Sequence, residues 1–270
     1  LRSRLALSEK AREQKRLEYN KDNREEEEHI RSIDLLYLME SDYGFLSENH
    51  PAQRLVQSRL DTLLYDIPLE ERPPVKVLAK EGFGPNALAF KDGTIVITPE
   101  YLEFYKYVEE LDGTLLHEYA HIANDDIASR NRPTVRNSLR RSVGIGRKAE
   151  YWADLYAFRE ASDPQRKTNP LGRLTLFERL REEFGEGWDP EHGKTSFRII
   201  NLKAATGFIE LDVSAQSPYG HLLTQDLTPI PSAVHKSLSG LGQGGAATAL
   251  MLHPPSEGRD FGKWEEEMMK

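Results

Sequence analysis

Cysteine is absent from all 270 residues. That excludes disulfide scaffolds, thiolate zinc sites and cysteine nucleophiles, and leaves the redox compartment open. Long apolar runs are absent too. No stretch approaches the roughly 18–20 residues a membrane-spanning helix needs, and the mean hydropathy of −0.62 is that of a chain kept in water. A polytopic membrane protein is therefore excluded. Positive charge is in deficit, with 36 Lys+Arg against 44 Asp+Glu and a formal net charge of −8. No broad basic face is expected, and nucleic acid is not expected as a partner. Neither an internal repeat nor a signal-peptide pattern is visible.

What is present divides the chain unevenly. Residues 1–45 are expected to form a charged helical arm, dense in both signs of charge and free to self-associate. Residues 46–270 are expected to hold the folded domain, long enough to bury a core without covalent staples. From Ile30 the apolar residues Ile33, Leu36 and Met39 take helical spacing. A second helix is predicted from Pro51 to Tyr65, with Leu55, Leu60, Leu63 and Leu64 inward, and Pro73-Pro74 stops it. Val75–Leu78 reads as a strand. Asn86–Phe90 and Thr94–Thr98 flank the turn Lys91-Asp92-Gly93 and read as a hairpin. Thr98-Pro99 is a helix start; Tyr101–Glu110 should be that helix, with Asp112-Gly113 separating it from the next. The chain turns basic and irregular from Asp125 to Lys148, then helical again over Lys148–Ala161 and Leu171–Phe184. Phe208–Val213 alternates like a strand, Gly240–Gly245 is read as a mobile glycine-rich stretch, and the rest of 185–250 has no reading.

The sharpest signal is His117-Glu118-Tyr119-Ala120-His121, an HExxH. On a helix, positions i and i+4 share a face, so both imidazoles can reach one zinc ion while Glu118 serves as base toward a zinc-bound water. Chance gives such a pattern about 0.02 times in a chain of this composition. A catalytic zinc needs a third protein ligand. Cysteine is missing, and a third histidine at the HExxHxxGxxH spacing is missing as well, Asp125 and Ala128 standing near that place. Glu150, in Glu150-Tyr151-Trp152-Ala153-Asp154, lies on a predicted helix downstream, with Asp154 one turn later on the same face to orient a ligating histidine.

HEYAH followed by EYWAD resembles the gluzincin metallopeptidases of the HtpX and CaaX prenyl endopeptidase type, whose pattern is HExxH with a later ExxAD. Asn86–Phe90 with the glycine-led strand Gly93–Thr98, and His253-Pro254-Pro255 with Arg259, resemble two further blocks of that family. The likeness covers about 51–160 well and 250–262 in outline. It implies an α+β fold: a mainly helical, zincin-like metallopeptidase with a small β-hairpin sheet above the active-site helix. It further implies one zinc per chain, a peptide or protein substrate, an oxyanion donor at His253 braced by Arg259, and an edge strand in which Asn86, Ala87 and Ala89 bind substrate. A buried hairpin without that role is the plainer reading of the same strand. Family members of the HtpX type carry transmembrane helices, whereas the interval Ile122–Ala149 is polar here. The chain thus looks like a soluble member or the catalytic part of an anchored one, extracytoplasmic or cytoplasmic.

The function expected from all this is a zinc-dependent endopeptidase that hydrolyses peptide bonds through a metal-activated water. The alternative is a catalytically restricted zinc-binding regulatory or chaperone-like protein of the same fold, against which the intact Glu118 argues.

Overall fold

A computed structural model describes residues 35–124, 139–185, 194–206 and 227–243. Helix α1 runs through residues 35–43 and places Met39 and Tyr43, one turn apart, against the sheet. Helix α2 spans Pro51–Leu63, and His50 caps it, its Nδ1 accepting from the Ala52 N–H while Nε2 meets the Ser237 carbonyl at 3.1 Å. Leu60, Leu63 and Leu64 are buried as expected, and Ala52 and Val56 complete the inner face, with Leu55 only half-buried.

Strands β1 (Val75–Val77), β3 (Ala87–Ala89) and β4 (Ile95–Ile97) form one sheet in the order β1-β4-β3. β1 and β4 run parallel, and β3 and β4 are the predicted hairpin, with Ala87 opposite Ile97 and Ala89 opposite Ile95. The two-residue period sorts the central strand between two apolar clusters. Ile95 and Ile97 join the main cluster with α2 and α4, while Val96 meets Met39, Tyr43, Leu78, Phe83 and Phe90 on the other face. The end of the stretch expected as an arm thus packs in the core. A second pair, β2 (Lys80–Glu81) with β5 (Gly242–Gln243), is parallel, so part of the glycine-rich stretch read as mobile is a paired strand.

Helix α3 (Pro99–Phe104) begins as predicted, with Thr98 accepting from the Tyr101 N–H, but it ends early. Tyr107 bridges to Pro229, Val108 N–H donates to Thr228 O, and Ile230 N–H donates to Lys106 O. This extended link separates α3 from α4 (Val108–Ala123), so the break falls at 105–107 and Asp112-Gly113 lies inside α4. Tertiary packing overrides the local signal there. Asp112, fully buried, accepts from Arg59 Nε at 2.8 Å and Nη2 at 2.6 Å and from Thr168 Oγ1 at 2.6 Å. At Gly113 a Cβ would stand 3.0 Å from the Arg173 Cβ, so glycine lets the neighbouring helix come close.

That neighbour is α6 (Leu171–Phe184), with the predicted bounds. Its Gly172 lies so tightly on α4 that a Cβ would meet Glu109 O. Helix α5 (Leu139–Ala161) starts well before Lys148, which corrects the irregular reading of 139–147. Helices α7 (Thr195–Thr206) and α8 (Ser232–Leu238) fall in the stretch that had no reading. Residues 125–138, the strand expected at 208–213, His253 and Arg259 lie outside the described residues. Among the described residues no helix is long and apolar enough to cross a membrane.

Candidate metal centre

Helix α4 is buried almost continuously from Val108 to His121. A helix buried on all sides depends on partners within the protein for most of the polar side chains it carries. Glu110 Oε2 accepts from Arg179 Nη1 at 2.6 Å and from the Lys106 N–H at 2.8 Å, and Glu109 accepts from the Thr228 N–H at 2.9 Å. Beyond Thr114 the helix presents His117, Glu118 and His121, which are 2 %, 7 % and 1 % exposed. The two imidazoles leave the same face, with ring centroids 4.7 Å apart.

The facing helix is α5, whose approach is set by alanines. Ala149, Ala153, Ala157 and Ala161 recur every four residues and are all buried, forming a flat row that lets α5 lie close on α4. The adjoining row, Glu150 and Asp154, is carried toward the histidines. Glu150 Oε2 stands 3.1 Å from His117 Nε2, Glu150 Oε1 stands 3.3 Å from His121 Nε2, and the two Nε2 atoms are 3.2 Å apart. His117, His121 and Glu150 are the one group of this kind among the described residues able to hold a metal ion.

The donor set fits zinc. Four-coordinate zinc with bonds of about 2.0–2.1 Å places its ligand atoms about 3.3 Å apart, close to all three separations seen here. Two ring nitrogens and a carboxylate converging on one point bring only acceptor lone pairs when the imidazoles present their unprotonated nitrogens, an arrangement that suits a cation. Burial, with the Arg173 charge nearby, pushes His117 below its ordinary range against the pull of Asp154 and Glu150. The ring is therefore neutral at neutral pH, the form that ligates.

Asp154 holds the far side of His117, its Oδ1 2.9 Å from Nδ1. Burial alone would raise its pKa, but Arg198, Arg173 and His117 outweigh that and hold it ionised, well below the usual carboxylate range. Arg173 and Arg198 were missed by the sequence reading. They sit on α6 and α7, and no local pattern sets them apart from the other basic residues. The one hint is that a buried Asp154 must find positive charge somewhere.

Asn86, Ala87 and Ala89 lie on or beside β3, which is paired on one side only among the described residues and packs against α4. The ladder bonds pass through Asn86, whose carbonyl accepts from Thr98 N–H, and Phe90, whose N–H donates to Thr94 O. By the alternation of an antiparallel pair Leu88 is the bonded residue between them, so the backbone groups of Ala89 face the open edge.

Residues 51–139 match Peptidase family M48. A stretch of 77 residues is 38% identical to a protein of Halobacterium salinarum described as "Protease HtpX homolog", covering 27% of this chain and 25% of that protein. The match thus spans about a quarter of the relative's length. The HtpX/CaaX-type metallopeptidase resemblance carried by the motifs is supported by both, and the matched segment contains the histidine helix while Glu150 lies beyond it.

Proposed function

We propose, from the premise that residues 51–139 form an M48 peptidase segment, that this chain is a zinc-dependent endopeptidase. The observation that carries the proposal is the convergence of His117, His121 and Glu150 in one buried site, with Glu118 on the same helix. When bound there, zinc supplies the Lewis acidity that lowers the pKa of a water toward ~7 and polarises the scissile carbonyl. His117, His121 and Glu150 would hold the ion. Asp154 fixes the His117 ring. Glu118 accepts the proton of the attacking water and passes it to the leaving amine. Zinc-dependent cleavage of an unfolded protein such as casein tests the reading as a whole.

The substrate lies along β3 in extended form, adding a strand to the open edge. Ala89→Pro removes an outward N–H without touching the ladder, a position where an edge strand tolerates proline. KM is expected to rise about tenfold, the equivalent of one hydrogen bond, with kcat little changed. A folded variant with the wild-type KM would remove β3 from the substrate path.

His253, braced by Arg259, donates to the oxyanion; both assignments come from the family resemblance. His253→Ala is expected to retain zinc and to lose about 10²–10³-fold in kcat, as the loss of one such donor does. Normal kcat in the zinc-loaded variant would move the donor elsewhere.

A further inference from the structure

We propose that Arg198 and Arg173 are positioning residues of the metal centre, acting through Asp154. The inference rests on the zinc reading above and concerns how the ligands are held. Asp154 is 2 % exposed and takes two guanidinium groups at once. Arg198 grips it as a fork, Nε to Oδ2 at 2.8 Å and Nη2 to Oδ1 at 2.7 Å. Arg173 adds Nε to Oδ1 at 3.1 Å and ties its own Nη1 to Thr114 Oγ1 at 3.2 Å, on the histidine helix. Arg198 Nη2 also stands 3.3 Å from Glu150 Oε2. One guanidinium thereby touches both a metal ligand and the residue that orients another.

The stack behind them makes this geometry stiff. Both guanidinium carbons lie 4.5 Å from the Phe177 ring centroid. Phe177, Phe158, Ile199 and Leu202 form an apolar cluster that joins α5, α6 and α7. Arg198 sits next to Ile199 in the chain, so packing of α7 sets where its fork lies. A bidentate guanidinium fixes the plane of a carboxylate, which a point charge does not. With the Asp154 plane fixed, its Oδ1 is held at His117 Nδ1 and the opposite ring nitrogen is aimed at Glu150 and His121. Two positive side chains also face the two buried carboxylates, Glu150 and Asp154, and offset their charge.

The test is a double-variant cycle read as zinc affinity, measured by chelator competition on the whole chain. Asp154→Asn and Arg198→Gln are each expected to weaken zinc binding about 10–100-fold, the usual effect of losing an outer partner of a ligating histidine. If Arg198 acts through Asp154, the combined variant is no weaker than the poorer single one within about threefold, and cobalt-loaded Arg198→Gln and Asp154→Asn share one visible spectrum. Losses that multiply in the combined variant, or wild-type affinity in Arg198→Gln, overturn the inference. Should Arg198→Gln not fold, Arg198→Lys carries the test. It keeps the charge and loses the fork, so weaker zinc binding is expected, and unchanged affinity would show that charge alone suffices and end the positioning role. A wild-type chain that binds no zinc refutes the metal centre itself, a failure distinct from these.

Discussion

Glu118→Gln is expected to bind zinc at the wild-type level and to lose peptide hydrolysis by about 10²–10⁴-fold, the range a positioned general base contributes. The side chain is nearly isosteric and does not belong to the His117, His121 and Glu150 donor group, so the ion has no reason to leave. What disappears is the carboxylate proposed to accept the proton of the attacking water. A group needed only as bonds rearrange should show its loss in kcat far more than in KM. Zinc content and single-turnover cleavage, measured on the same preparation, check both halves. An active Glu118→Gln enzyme would remove the proposed base, and a zinc-free one would make Glu118 part of the binding site.

Glu150→Ala and His121→Ala are expected to do the reverse: zinc falls from near one per chain to a small fraction, and activity goes with it. Each donor stands 3.1–3.3 Å from a neighbour in the group, so removing any one leaves two ligands where a stable site needs three. Both positions are buried, Glu150 at 1 % and His121 at 1 %. Removing Glu150 also takes away a contact of Arg198, which keeps Asp154 as its partner, so the fold has a way to tolerate the change. Elemental analysis of the folded variants is the check. Full zinc in either would show the ligand assignment to be wrong.

The candidate metal cluster was legible because its logic is local or nearly so. His117 and His121 need only helical spacing, and Glu150 with Asp154 repeats that spacing on the next predicted helix. The hairpin was legible from Lys91-Asp92-Gly93 between two apolar runs. Asp112-Gly113 misled because its local turn chemistry lost to long-range partners. Arg59 and Thr168 satisfy the aspartate, and the glycine is needed for the approach of Arg173. The break after Phe104 was hidden for the same reason, since its partners at 228–230 lie far along the chain. Arg173 and Arg198 were invisible because a guanidinium that neutralises a buried carboxylate leaves no periodic trace. The outer half of the centre is tertiary, and only the inner half is written in a motif.

Cleavage of casein by the purified chain, followed through chelation and zinc add-back, is the decisive measurement. Cleavage is expected to stop on chelation and to return with about one zinc per chain. A folded, zinc-loaded chain that leaves casein and short unfolded peptides intact would contradict the proposed endopeptidase function.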